Sequence, residues 1–187
     1  ETNSKFKHRW QLGLESNSQQ DQRDRFLNLK GIQGDSVFSQ LESFGNIGAS
    51  ILDELQWEKL LLRTALRFDF QSLGASTEVE NQEYAVLNPS IGLSYSIANK
   101  HRLFVNFSTS FETPTLSELS ANPTGGEGLN LDLDPSKAIN YEFGWKTQNS
   151  SGYVDATAFY IQSSNEILPY ELEAFPGRSF YQNFGET

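Results

Sequence analysis

Apolar and polar residues alternate along most of this chain, and a period of two sends successive side chains to opposite faces of a β-strand. Trp10, Leu12 and Leu14 share one face of the first run, with Gln11, Gly13 and Glu15 opposite. Leu62, Thr64, Leu66, Phe68 and Phe70 face away from Arg63, Ala65, Arg67 and Asp69. Ile91, Leu93, Tyr95 and Ile97 oppose Ser90, Gly92, Ser94 and Ser96, and Leu103, Val105, Phe107 and Phe111 oppose Asn106, Ser108 and Ser110. Ile139, Tyr141, Phe143 and Trp145 oppose Asn140, Glu142, Gly144 and Lys146. Residues 39–59 are less regular: Ile47, Ala49 and Ile51 alternate, and a phase slip predicts a tight turn near Leu52 and Asp53. With "YVDATAFYIQ" at 153–162 and a weak stub at "SFYQNFG", the pattern predicts seven strands and a stub. Helix is limited to one turn at "TLSELS", with Leu116 and Leu119 on one side.

The connections between these strands divide into two kinds. "ANK" and "QNSSG" are short, whereas 17–36, 71–83 and 112–136 are polar or Pro/Gly-rich and read as long loops. The opening "ETNSKFKHRW" reads as the middle of a further loop. Most predicted strands run about 10–12 residues, enough for the ~9–11 tilted residues that cross a bilayer. Short turns at one end and long loops at the other are the asymmetry of a membrane barrel.

A soluble sandwich alternates too, so the chemistry of the second face must decide. Ser90, Gly92, Ser94, Ser96, Asn106, Ser108 and Ser110 are small and uncharged, and Arg63, Arg67 and Asp69 mix charges. Both suit a wet lumen better than a solvated sheet surface. Tyr95, Trp145, Tyr153 and Tyr160 fall at predicted strand ends or flanks, where amphipathic rings meet lipid headgroups. Composition agrees: aromatics are 13% of a chain that is only 37% hydrophobic. The net charge of −10 disfavours a nucleic-acid partner. Cysteine is absent, which excludes disulfides and thiolate chemistry, and no apolar run reaches the ~18 residues of a helical span. Methionine is absent and no leader-like segment opens the chain, as expected of an internal piece.

The stretch "FSTSFETPTLSEL" followed by "GLNLDLDPSKAINYEFGWK" resembles the TonB-dependent outer-membrane receptors. Phe107–Phe111 match a strand end of that family, and Pro114, Thr115, Leu116, Ser117, Glu118 and Leu119 match its "PTLSEL" piece. Pro135 and Lys137 stand at its "KPE" region, and Asn140, Tyr141, Glu142, Gly144 and Lys146 match its "NYExGxK". "ATAFYIQSSNEI", "YQNFGET" and, upstream, "LLLRTALRFDF" resemble further strands. Glu112 and Thr113 depart from the Arg and Ala frequent there. The resemblance implies an all-β, antiparallel transmembrane barrel segment: residues 1–187 would be about seven or eight strands of a larger, 22-stranded wall, with the plug domain absent. It implies an outer-membrane location and energised uptake of a scarce ligand such as a ferric siderophore. The partners would be the plug and remaining strands of the parent chain, TonB acting through the plug, the small-molecule ligand and outer-membrane lipid. The segment after Phe111 would leave the wall as a loop, fold over the rim and hook there before returning near Ala138.

No catalytic, cofactor or metal residues are assigned, and enzyme activity is not expected. Asp132 and Asp134 are two carboxylates without the remaining oxygens of a calcium site. Glu112, Glu118 and Glu142 lack a nucleophile, and His8 and His101 are far apart in sequence. "KFKHR" at 5–9 reads as a strand-flanking polar segment, and "NFS" at 106–108 lies inside a strand. The rival readings are a complete eight-stranded outer-membrane barrel with a structural or adhesive role, and a soluble β-sandwich that binds a ligand.

Overall fold

The structure, a computed structural model, describes residues 6–77, 81–98, 100–150 and 152–186. Eight antiparallel strands succeed one another in a single sheet: β1 (Phe6–Leu29), β2 (Ile32–Trp57), β3 (Leu60–Ala75), β4 (Gln82–Ala98), β5 (His101–Glu112), β6 (Ser136–Asn149), β7 (Gly152–Glu171) and β8 (Ser179–Glu186). One helical turn, α1 (Leu116–Leu119), lies between β5 and β6. The spatial order is the sequence order, and the sheet is not closed: β1 and β8 each keep a free edge.

Register shows why the alternation matters. One row of paired residues runs Phe6, Trp57, Leu60, Tyr95, Leu103, Trp145 and Ala156 across seven strands. Parallel rows bring Ile51, Leu66 and Pro89 together, and Ile91, Phe107, Tyr141 and Tyr160. All lie on one face, where large apolar side chains stay exposed: Leu14 is 89% exposed, Trp10 63% and Tyr160 62%. An apolar face with nothing packed on it requires an apolar surrounding. The two-residue β2–β3, β4–β5 and β6–β7 connections share the end near Trp57, Tyr95 and Trp145. Tyr160 departs from the expected belt position, pairing with Tyr141 further along the strands.

The opposite face carries charge. Glu54 takes Arg9 at 3.0 Å and Arg63 at 2.6 Å, and Arg67 holds Asp69 through two 2.7 Å bonds and Glu15 at 3.0 Å. Asn106 donates to Glu142 at 2.9 Å and Lys146 pairs with Asp155 at 2.9 Å. Small residues make room for these groups. A Cβ on Gly48 would sit 2.9 Å from both Arg67 Nη2 and Asp69 Oδ1, and one on Gly144 would enter the Phe104 ring.

Four further expectations need correction. Residues 17–36 are not a loop: β1 and β2 stay paired through this stretch, from Asn17↔Asn46 to Leu29↔Ile32 apart from a local register shift near Phe26. Beyond the apolar band both faces of a hairpin are wet, so the apolar period that marks a strand disappears while the backbone ladder persists. The reversal is the pair Lys30 and Gly31, both at positive φ, with Asn28 Oδ1 accepting from Gly31 N at 2.7 Å. Leu52 and Asp53 do not turn; they pair with Ala65 and Thr64, and the turn is at Glu58–Lys59. Of 71–83, only 76–81 lies outside strands, 78–80 being outside the described residues. Phe6–Trp10 is strand rather than loop, paired from Trp57 to Asp53; residues 1–5, including Lys5 of "KFKHR", lie outside the described residues.

Phe143→Arg, placed mid-strand on the outward face, is expected to destabilise the folded barrel of the full-length protein by about 2–4 kcal/mol. Denaturant unfolding from lipid vesicles measures this. A loss under about 0.5 kcal/mol would mean that this face does not meet hydrocarbon.

Candidate functional site

The best-defined site is the hook between β5 and β6. Pro114 has no N–H and restricts the residue before it, so the ladder of β5 ends there. The Thr113 hydroxyl donates to Gln71 Oε1 at 2.6 Å. Thr115 is extended and caps α1: its hydroxyl accepts from Glu118 N at 3.3 Å, while the Glu118 carboxylate accepts from Thr115 N at 2.7 Å. This reciprocal box satisfies amides that a single turn leaves free. The turn also sets Leu116 and Leu119 on one side, as the spacing predicts, and both are buried.

They form a small core with Leu129 and Leu133 from the hook, Leu73 from β3 and Tyr84 from β4. Phe44, Ala75 and Tyr181 pack around it. The Tyr84 hydroxyl donates to Leu133 O at 3.2 Å. Asn183 ties the returning strand to the hook, donating to Asp134 O and accepting from Asp134 N, each at 2.8 Å.

A polar clamp holds the other flank. Glu42 is fully buried and takes both Nε and Nη2 of Arg23, at 2.7 and 3.0 Å. The same carboxylate accepts from Gln40 Nε2 at 2.9 Å and from the Ser120 hydroxyl at 2.5 Å. Arg23 Nη2 reaches Ser117 Oγ at 3.3 Å, and Arg25 Nη2 reaches Ser120 O at 3.2 Å. Gln40 Oε1 accepts from Gly128 N at 2.9 Å and from the Thr77 hydroxyl at 3.0 Å. Both carboxylate oxygens of Glu42 thus have partners from Arg23, and one of them also accepts from Gln40 and Ser120, as a buried charge requires. Glu42 lies beyond Ile47 and Phe70, outside the outward apolar band. Burial raises its carboxyl, but hydrogen bonds from Arg23, Ser120 and Gln40 and the charge of Arg23 override that and hold it below the usual carboxylate range.

The residues weighed for chemistry remain scattered. Glu118 closes the cap, Glu142 accepts from Asn106 mid-sheet, and Glu112 is exposed at the end of β5. Asp132 and Asp134 are exposed, and among the described residues no group of three His, Cys, Asp or Glu is placed to hold a metal. His8 meets Asp53, and His101 stacks on Trp145 at 5.8 Å between ring centres. Sequence reasoning missed Arg23, Gln40 and Glu42. Their signal was a period-two set on either side of the Lys30–Gly31 turn, Asp21, Arg23 and Arg25 on one strand and Gln40 and Glu42 on the other, with Arg23 directly opposite Gln40.

An open sheet with an unpacked apolar face, a charged inner face and a loop hooked at one rim is the wall of a transmembrane β-barrel. Residues 1–187 match the family described as TonB dependent receptor-like, beta-barrel, and the chain belongs to that family. It is 33% identical over 82 residues to the vitamin B12 transporter BtuB of Vibrio vulnificus (strain CMCP6), covering 44% of this chain and 12% of the relative. It is 26% identical over 95 residues to the ferric-pyoverdine 358 receptor of Pseudomonas putida, covering 46% and 10%. Among solved structures it is similar to the copper transporter OprC, with a TM-score of 0.70 at 17% identity over 93% of this chain and 30% of that one. The ferric-catecholate import receptor Fiu of E. coli K12 gives 0.65 at 15% identity over 98% and 32%. The chain therefore spans a small part of each relative's length. Members of the family are outer-membrane proteins, receptors and transporters rather than enzymes.

Glu42→Ala is expected to loosen the hook by about 3 kcal/mol, by stranding the Arg23 guanidinium and the buried Gln40 amide. Amide exchange at Leu119 and Asn130, whose N–H groups are bonded inside the hook, reads this directly. The pH dependence has a definite sign. Because the folded carboxyl is depressed, its contribution is full above the ordinary glutamate range near pH ~4.3 and is lost as pH falls through the lower folded value. Protection in the parent protein should thus decline only in acid below that range, and Glu42→Gln should remove the dependence.

Proposed function

We propose that residues 1–187 are a partial barrel domain of an outer-membrane receptor for energised uptake of a scarce small molecule, a ferric siderophore being the leading class. The observation that carries the reading is the clamped hook. Glu42 and the Leu116–Leu119 core hold residues 113–135 against the charged side of the sheet, at the end opposite the short turns. A loop fixed there gives a ligand a pre-formed rim, which lowers the ordering cost of capture. The names of the relatives support the ligand class: one is a vitamin B12 transporter and another a ferric-pyoverdine receptor. In this reading the remaining strands, to a total of about 22, and the plug belong to the rest of the parent chain. TonB acts on the plug, and the wall supplies scaffold and rim rather than bond-making chemistry.

Deleting the parent gene and growing cells with single iron sources or with cobalamin tests this. The expected result is a defect confined to one ligand, of the same size as that caused by deleting tonB. Growth unaffected on every ligand, or a defect that persists without any dependence on TonB, would overturn the uptake function. Normal heat-modifiable migration of the parent protein in the unaltered and tonB-deleted strains keeps a failure of folding separate from a failure of function.

A further inference from the structure

Three segments distant in sequence meet beside the hook, and each brings a part of one cationic cluster. From the β1–β2 ribbon, Arg25 holds its guanidinium 4.3 Å from the centre of the Phe38 ring. From the hook, Ser120 O accepts from Arg25 Nη2 at 3.2 Å. From the turn between β7 and β8, Arg178 stands over Phe180 at 4.8 Å and over Phe175 at 5.7 Å. That turn is seated on the hook, since a Cβ on Gly125 would enter the Phe175 ring.

The cluster carries more positive charge than it neutralises. Arg23 is engaged by Glu42, which takes both its Nε and its Nη2. Neither Arg25 nor Arg178 has a carboxylate partner among the described residues. Glu127 and Glu173, the nearest carboxylates along the hook and the turn, are exposed and pair with neither. Burial, Arg178 and Arg23, in that order, lower the Arg25 guanidinium below its usual range, and the charge of Glu42 pulls the other way. The Arg25 and Arg178 guanidiniums are therefore close enough to repel one another. Arg178 Nη2 is moreover buried without a hydrogen-bond partner among the described residues. Aromatic faces offset part of that cost by cation–π attraction, but they give the N–H groups no oxygen to bond.

We propose that Arg25 and Arg178 together bind one oxyanion, a carboxylate or phosphate group, at the junction of ribbon, hook and β7–β8 turn. A guanidinium presents a planar fork of donors that matches two oxygens of such a group. One anion between the pair turns their repulsion into a bridge. The rings of Phe38, Phe175 and Phe180 lower the local dielectric, which strengthens the bonds it makes. Because Arg178 Nη2 is already covered, an anion reaches it as the turn opens and recloses, so binding and docking of the turn are coupled. Two sources carry this chemistry: a small anion from solution, and a carboxylate elsewhere in the parent chain. Either would fasten the turn to the hook whatever ligand the receptor takes up.

Amide exchange in the full-length receptor, in detergent at constant ionic strength, tests this with inorganic phosphate as the probe. The amides to follow are Phe175 and Arg178, which bond Leu172 O and Phe175 O within the turn. With a free anion, millimolar phosphate should slow their exchange about tenfold, the worth of one charge-assisted hydrogen bond. Arg25→Met or Arg178→Met should then abolish the response. With a carboxylate of the parent chain, exchange should be slow before phosphate is added, phosphate should change nothing, and each variant should quicken exchange about tenfold. The sign of the variant effect decides. If no anion is bound, either variant removes one charge from a repelling pair and keeps an apolar contact with the rings, so exchange should be unchanged or slower. That result for either variant, with phosphate inert, overturns the proposal, as does a phosphate response that survives in either variant. Fast exchange of the unaltered protein with and without phosphate overturns it with no variant needed. Gln replaces Met wherever heat-modifiable migration shows a misfolded variant.

Discussion

Every peptide group in this sheet must find its hydrogen-bond partner on a neighbouring strand, because hydrocarbon offers none. Most of the architecture follows from that requirement. It makes each strand long enough to cross, keeps neighbours antiparallel and consecutive, and lets the outward side chains go without jigsaw packing. It also identifies the weak places. One is each open edge, at β1 and at β8, where peptide groups lack a neighbouring strand, and another is the end of the β4–β5 ladder at Ser90↔Ser108.

The inner face answers a different demand. Its charges sit on a curtain only one strand layer thick, and many of them pair within the sheet: Arg9 and Arg63 with Glu54, Arg67 with Asp69 and Glu15, Lys146 with Asp155. Partly exposed pairs of this kind add little stability one by one. Their effect is to keep the face polar while offsetting the charges on it. Gly48 and Gly144 belong to the same solution, since each vacates the volume that a guanidinium or a ring occupies.

The sequence was most legible where burial is one-sided. From β3 to β6 one face of each strand meets lipid, so Leu62–Phe70, Ile91–Ile97, Leu103–Phe111 and Ile139–Trp145 alternate and their strands could be read off. The hook was legible for a local reason: Pro114, Thr115 and Glu118 fix a stop, a cap and a single turn within five residues of chain. The hairpin of β1 and β2 beyond the band was not legible as strand. Gln20, Gln22, Asp24 and Asn28 carry no apolar period, and polar residues in that region look the same in a loop. Leu52 and Asp53 misled in the opposite way. A leucine on the inner face and an aspartate on the outer one break the phase although the backbone runs straight through.

That extended hairpin explains why the clamp is polar. A hook that leaves the wall above the apolar band has only a wet, two-stranded ribbon to lean on along β1 and β2. Leucines suffice where α1 meets Leu73 and Tyr84, because the hook itself covers them. On the other flank the ribbon is open to water from both faces, and an apolar contact there would leave a large exposed patch whenever the hook moved. Arg23, Gln40 and Glu42 avoid that exposure, since the same groups are well solvated when undocked and fully bonded when docked. Their geometry also selects one register of the hook: Ser120 must reach Glu42 while Gly128 reaches Gln40, two contacts from separate points of the segment. Apolar packing supplies much of the adhesion, and the buried carboxylate decides where the loop comes to rest.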